Sequence, residues 1–250
     1  MDEILKKLKN GYSTSELYLI NDNGNTIVRK INNIERNIAR FSELSELDLQ
    51  FPKIFNITSN SYDMEYIPNL DIKTFITHYD NNILNSFIKK VLSTLKTSTT
   101  GTFDFTEIYK QKLDSIDFEK YKFVFDKESL LFKLPKNIPV SQYHGDFTLE
   151  NILYSTHKND FILIDPITTE YSSYVFDIAK LRQDLKCKWF IRNEPDLYIN
   201  SKLKNIDEEI SKFNCNNDYL LILMLMRILP YTKSLMDETY LINEINNLWK

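Results

Sequence analysis

The 250-residue chain reads as an α+β protein of two lobes, a small antiparallel-sheet lobe over residues 1–67 and a larger, mainly helical lobe over residues 68–250. Three observations predict this. Strand-forming runs with a hairpin signal crowd the first part of the chain. Pro68-Asn69 then breaks the strand pattern. Beyond that break, apolar residues recur mostly at helical spacing.

Glu16–Ile20 and Thr26–Ile31 are rich in strand formers, and Asn23-Gly24 between them is a strong hairpin turn signal. Ile34, Ile38, Phe41 and Leu44 then recur at helical spacing, and Pro52 closes that helix. Ile54–Thr58 and Tyr62–Ile67 read as two more strands joined by Ser-Asn-Ser. In the second lobe Ile83–Leu95 is amphipathic, and Phe103–Phe123 predicts another helix. Short strands are expected at Val140–Tyr143, Ile152–Tyr154 and Phe161–Ile164, with helices from Val175 onward. Tyr219–Leu229 is the most apolar stretch; it is shorter than the ~20 residues a membrane span needs and contains Arg227, so it predicts a buried core helix.

Bulk properties exclude several function classes. Hydrophobic residues make up 42% of the chain, enough for a sizeable core and too many for a disordered one. The net charge of −4, without a lysine/arginine block, argues against a nucleic-acid partner. Cys187 and Cys215 lack CxxC spacing, so neither a zinc site nor a disulfide framework is expected. The N-terminal MDEILKKLKN has no apolar core of the signal-peptide kind. A cytoplasmic protein with a small-molecule partner and no membrane partner is the expectation.

Residues 140–166 carry the chemistry: VSQYHGDFTLENILYSTHKNDFILIDP. Asp146 and Asn151 lie five apart in a loop between short strands, and Asp165 ends the next apolar run. Phosphoryl transfer needs a carboxylate to orient or deprotonate the attacking hydroxyl, which suits Asp146. It also needs hard oxygen ligands for magnesium, which suits Asn151 and Asp165.

The string HGDFTLENILY followed by ILIDP resembles the aminoglycoside phosphotransferase and choline kinase superfamily, whose signature is HGDxxxxN and then an apolar-apolar-Asp segment. The resemblance implies a bilobal protein-kinase-like fold and a small-molecule kinase using Mg2+ and ATP, with GTP as the alternative nucleotide. It implies Asp146 as catalytic base, His144 as the histidine that braces the loop, and Asn151 and Asp165 as metal ligands. Asp177 in FDIAKL matches a later aspartate that supports the site.

The resemblance also implies a strand lysine on the phosphates. Lys30 of TIVRKI is preferred and Arg29 competes, because alternate side chains face opposite sides of a strand. Ile27 and Ile31 share a face with Arg29, which suggests that this face packs under the helix. Glu35, early in that helix, is the expected partner of Lys30, with Glu43 second. Gly11-Tyr-Ser13-Thr-Ser15 stands where a phosphate-covering loop would lie but has one glycine, so it reads equally as a plain turn. Met64-Glu65-Tyr66-Ile67 resembles an adenine-binding hinge through the Glu65 carbonyl and Ile67 N–H, or else an ordinary edge strand.

The acceptor is expected near Thr168, Thr169, Glu170, Tyr171, Asp177, Lys180 and Arg182. Lys180, Arg182, Lys186 and Lys188 argue against a polycation there. Together the strings also resemble phosphotransferase modules of bacterial capsule and surface-polysaccharide clusters, which implies a sugar or polyol hydroxyl; an amino alcohol or an aminoglycoside are the other acceptors considered. A nucleotide-binding pseudokinase or regulatory module is the rival reading, motivated by the poor glycine loop. A protein kinase is disfavoured, since only eleven residues separate Asp165 from Asp177.

Overall fold

The computed structural model describes residues 3–8, 15–213 and 217–250. Five antiparallel strands form the first sheet: β1 (Glu3–Lys7), β2 (Glu16–Asp22), β3 (Asn25–Ile31), β4 (Ile54–Phe55) and β5 (Ser61–Glu65), in the order β1-β2-β3-β5-β4. The β2–β3 turn is Asn23-Gly24, with φ of 51° and 89°. Two successive left-handed residues give the turn the twist a tight hairpin requires, and Asn and Gly tolerate that geometry best. The strand expected to run from Ile54 to Thr58 stops at Phe55, because Asn56 turns left-handed at φ 50°.

Helix α1 (Glu35–Leu44) packs on this sheet through Ile34 and Phe41 against Tyr62. Tyr62 lies directly opposite Lys30 in the β3–β5 register. The helix therefore covers the Lys30 face. The expectation that it lies over the Ile27–Arg29–Ile31 face is overturned: Arg29 is on the side away from α1 and forms an ion pair with the buried Asp63 (Nε–Oδ1 2.6 Å).

The remaining elements are mainly helical: β6 (Asn69–Leu70), α2 (Ile72–His78), α3 (Asn81–Thr97), β7 (Gly101–Asp104), α4 (Thr106–Asp114), α5 (Phe118–Tyr121), α6 (Lys127–Lys133), β8 (Asn137–Val140), β9 (Ile152–Ser155), β10 (Asp160–Leu163), α7 (Tyr174–Leu185), α8 (Leu197–Ser211), α9 (Asp218–Met226) and α10 (Leu235–Leu248). Side-chain oxygens start most of these helices. Asp71, Asp80, Asp126, Ser173, Asp196, Asn217 and Ser234 each accept first-turn N–H groups. The helix expected over 103–123 is divided. Gly101–Asp104 is a strand on β8, and Asp104 then accepts the Thr106 N–H to open α4. The strand expected at Val140–Tyr143 ends at Val140, since the Ser141 and Gln142 N–H groups turn to Ser172 O and Ser98 Oγ.

The main core lies in this helical part. Residues 220–226 of α9 are all buried, and so is every residue of α7. Among the described residues no helix is long and apolar enough to cross a membrane. Leu223 is fully buried. Leu223→Ala is expected to lower stability by about 2–5 kcal/mol, the usual cost of a large-to-small core change. Urea unfolding measures it, and a loss below about 1 kcal/mol would contradict the packing described for α9.

Candidate active site

The 144–151 loop is held from beneath by one face of α7. Asp177 accepts the N–H groups of His144 (2.5 Å) and Gly145 (2.9 Å). Lys180, three residues on, donates to the Gly145 carbonyl and stands 3.7 Å from Asp146 Oδ1. Asp184, a further turn along, accepts the Leu149 N–H at 2.8 Å. Spacings of three and seven put these side chains on one side of the helix. Gly145 has φ 87°, and a Cβ there would run into the Ile167 carbonyl, so only glycine fits.

Burial shapes the charges in this layer. It drives the His144 imidazole down to about 4 and the Lys180 ammonium down to about 8. It lifts the carboxyls of Asp177 to about 6 and Asp184 to about 8. His144 is thus neutral near pH 7. Its Nδ1 accepts the Asp146 N–H at 3.3 Å, and its ring stacks on Phe51 with centroids 6.4 Å apart. The Asp146 side chain is 39% exposed. The Asn151 amide donates to the Asp146 carbonyl (2.8 Å) and to Oδ2 (3.0 Å).

Asp165 follows β10 in a left-handed conformation, φ 56°. Its Oδ1 accepts from Lys30 Nζ and from Asn37 Nδ2 (2.7 Å); Asn37 also donates to the Pro166 carbonyl (2.8 Å). Two arginines of α1 extend this attachment. Arg36 Nε donates to Thr168 O (2.7 Å), and the buried Arg40 Nε to Tyr143 O (2.6 Å). The expected Lys30–Glu35 pair is not formed. Asn37, Arg40, Phe41 and Leu44 are the buried positions of α1, which leaves Glu35 exposed. Glu43 pairs with Arg40 instead. The carboxylate on Lys30 is that of Asp165.

A cleft of about 460 Å3 joins these parts. Leu17, Lys30, Tyr62 and Met64 line it from the first sheet, with Asp165 bound to Lys30; Asp146, Glu150, Asn151, Asp184, Trp189 and Arg227 line it from the helical part. Lys30, Asp146, Asn151 and Asp165 are thus brought together as expected from their order in the sequence. Other expected residues lie outside the lining. The Glu65 side chain is bound to Lys158 (3.3 Å) and Ile67 is buried, while Met64 of that string faces the cleft; the expectation for that string concerned the backbone groups of Glu65 and Ile67. Asp177 and Lys180 lie under the loop, where burial keeps them from an acceptor. Glu170 is exposed on the following loop, outside the lining. Arg182 and Lys186 are bound to Asp207 and Asp218, and Lys188 to Leu185 O, so these cations do not bear on the acceptor as expected. Gly11, Ser13 and Cys215 lie outside the described residues.

Asn37, Asp184, Trp189 and Arg227 were not expected. Asn37 had a signal, being three residues after Ile34 on the helix face that carries Phe41. So did Asp184, seven after Asp177. Arg227 is the lone cation of an apolar run. Trp189 had none.

The donor set fits a magnesium ion in its chemistry. Asn151 turns its amide nitrogen to Asp146, which leaves its oxygen for a metal. Asp165 takes both protein donors on Oδ1, which leaves Oδ2. Carboxylate and amide oxygens are the hard ligands that magnesium prefers. Among the described residues no three His, Cys, Asp or Glu side chains form a metal cluster of their own.

No protein-family model matches the chain, and no curated protein matches it in sequence. Solved structures do match it. A thermostable mutant of aminoglycoside phosphotransferase APH(4)-Ia superposes with a TM-score of 0.66 at 12% identity, covering 99% of this chain and 94% of its own. The chain shares the fold of this aminoglycoside phosphotransferase. A protein described as a fructosamine-3-kinase from Haemophilus somnus 129PT gives a TM-score of 0.61 at 15% identity, covering 100% and 91%. An ethanolamine kinase from Plasmodium vivax gives 0.56 at 12%, covering 98% and 82%. Proteins named for such different acceptors share this fold, so likeness of fold leaves the acceptor of this chain to be argued from its own residues.

His144 carries a pH prediction. Its folded value, about 4, lies below the ordinary 6.5, so between these pH values the unfolded chain binds more protons. The resulting stability is complete above pH 6.5 and lost as pH falls through 4. That span corresponds to roughly 3 kcal/mol. Asp177 and Asp184 act in the opposite sense, so the readout is the wild type compared with His144→Gln. Urea unfolding from pH 7 to pH 4 is expected to show the wild type losing more stability than the variant. Equal slopes would mean that His144 titrates normally.

Proposed function

We propose that the chain is an ATP- and magnesium-dependent phosphotransferase that moves the γ-phosphate to a hydroxyl of a small molecule, with Asp146 as the base. The observation that carries this reading is one cleft lined by Lys30, Asp146, Asn151 and Asp165 within a kinase-like fold. Each member alone is an ordinary side chain, whereas the ordered set in one cleft is what phosphoryl transfer requires.

Asp146 faces the cleft between Asn151 and Lys180, which hold it from two sides. A carboxylate so restrained orients an acceptor hydroxyl and takes its proton as the oxygen bonds to the γ-phosphorus and the bond to ADP breaks. Lys30 supplies a positive charge for the phosphates from the sheet. Asn37 orients Asp165, and through it Lys30, in the place expected for a helix glutamate. Magnesium held by Asp165 and Asn151 would neutralise charge on the transferring phosphate. The ternary complex of an APH(4)-Ia mutant with AMP-PNP and hygromycin B supports a nucleotide and a small acceptor bound together.

Asp146→Asn is expected to lower ADP formation by about 10²- to 10⁴-fold while AMP-PNP affinity changes by less than a few fold. Near-full turnover by the variant would remove Asp146 from its role. Tight nucleotide binding by the wild type, with no ADP formed on sugars, polyols, amino alcohols or aminoglycosides, would favour the regulatory-module reading. Asn37→Leu removes the amide from Asp165 without a change of charge. It is expected to weaken magnesium-dependent AMP-PNP binding by at least tenfold, measured by calorimetry, and an unchanged affinity would detach Asn37 from the nucleotide end.

A further inference from the structure

We propose that Arg227 receives an anionic group of the acceptor, so that the acceptor is a hydroxyl compound bearing a carboxylate or a phosphate. This rests on the phosphotransferase reading and specifies what occupies the acceptor end of the same cleft.

Arg227 ends the apolar helix α9 and lines the cleft with Asp146. It is half-buried. The other five arginines each donate to an oxygen: Arg29 to Asp63, Arg36 to Thr168, Arg40 to Tyr143, Arg182 to Asp207 and Arg192 to Asp237. Among the described residues Arg227 has no such partner. Its guanidinium stands 5.5 Å from the Tyr171 ring, and Nη1 is 3.2 Å from Met224 Sδ, a weak acceptor. A guanidinium offers five donors in a planar fork that fits a carboxylate or phosphate edge. A half-buried one facing a cleft without an oxygen is therefore ready for an anion.

The surrounding charge points the same way. Burial and then Arg227 hold the ammoniums of Lys112 and Lys180 below their ordinary range, so two more cations lie within its field. Glu170, the acid that bears on Lys112, is exposed and not within ion-pair distance of Arg227. Burial raises the carboxyls of Asp184 and Glu150, and neither these nor Asp146, which line the same cleft, are within ion-pair distance of Arg227. A cationic amine at Arg227 would meet repulsion, whereas an anion there leaves the rest of the molecule to reach Asp146.

The full chain loaded with AMP-PNP and magnesium, which occupy the Lys30 end, is titrated calorimetrically with inorganic phosphate and separately with acetate. At least one anion is expected to bind, and Arg227→Met to weaken it at least tenfold with AMP-PNP affinity unchanged. The tighter of the two anions identifies the acid class. Arg227→Lys, which keeps the charge without the fork, is expected to fall between and serves if the methionine variant does not fold. In ADP-release assays on glycerol, glycerate and glycerol phosphate, an anionic compound is expected to be the better acceptor. No anion binding, or binding indifferent to both substitutions, overturns the proposal alone. Failure of AMP-PNP to bind overturns the phosphotransferase reading beneath it.

Discussion

Three titratable side chains on the inner face of α7 hold the site together. Asp177, Lys180 and Asp184 are almost wholly buried. Buried polar and charged groups are tolerated only where hydrogen bonds replace lost water. Here the replacements are the His144, Gly145 and Leu149 N–H groups and the Gly145 carbonyl. If the loop moved away, each buried group would be left unsatisfied at about 1–3 kcal/mol or more. The loop geometry is therefore held by the helix core, and Asp146 reaches the cleft from a rigid base.

The sheet is joined to this base through α1. Asn37, Arg36 and Arg40 reach Asp165, Thr168 and Tyr143, all in segments that flank the cleft. Lys30 completes the link from β3 to Asp165. The two ends of the cleft are thus set relative to each other by hydrogen bonds that use side chains of one short helix. This arrangement leaves Glu35 free of the role a helix glutamate would have, because Asn37 occupies the inward helical position.

Much of this was legible in the sequence. Asn23-Gly24 announced the hairpin because few residue pairs accept two left-handed conformations. The order of His144, Asp146, Asn151 and Asp165 announced a loop and strand end that converge. The choice of Lys30 over Arg29 reached the residue that lines the cleft for a mistaken reason: the helix covers the Lys30 face, and Ile27 and Ile31 lie with Arg29 on the other. Glu35, Glu65, Glu170, Asp177 and Lys180 were placed by analogy of position along the chain. Their actual surroundings depend on helix phase and depth, which a linear pattern states only to within a residue or two.

The sequence by itself determined the β2–β3 hairpin, most of the helices and the order of the residues on which the phosphoryl-transfer proposal rests. These follow from local rules: periodicity, turn chemistry and spacing within one loop. Only the tertiary structure decided that Asp165 takes Lys30, that Lys180 and Asp184 join Asp177 beneath the 144–149 loop, and that Arg227 faces the same cleft as Asp146. Those relations join residues far apart in the chain, where packing of α1, α7 and α9 sets which side chain meets which.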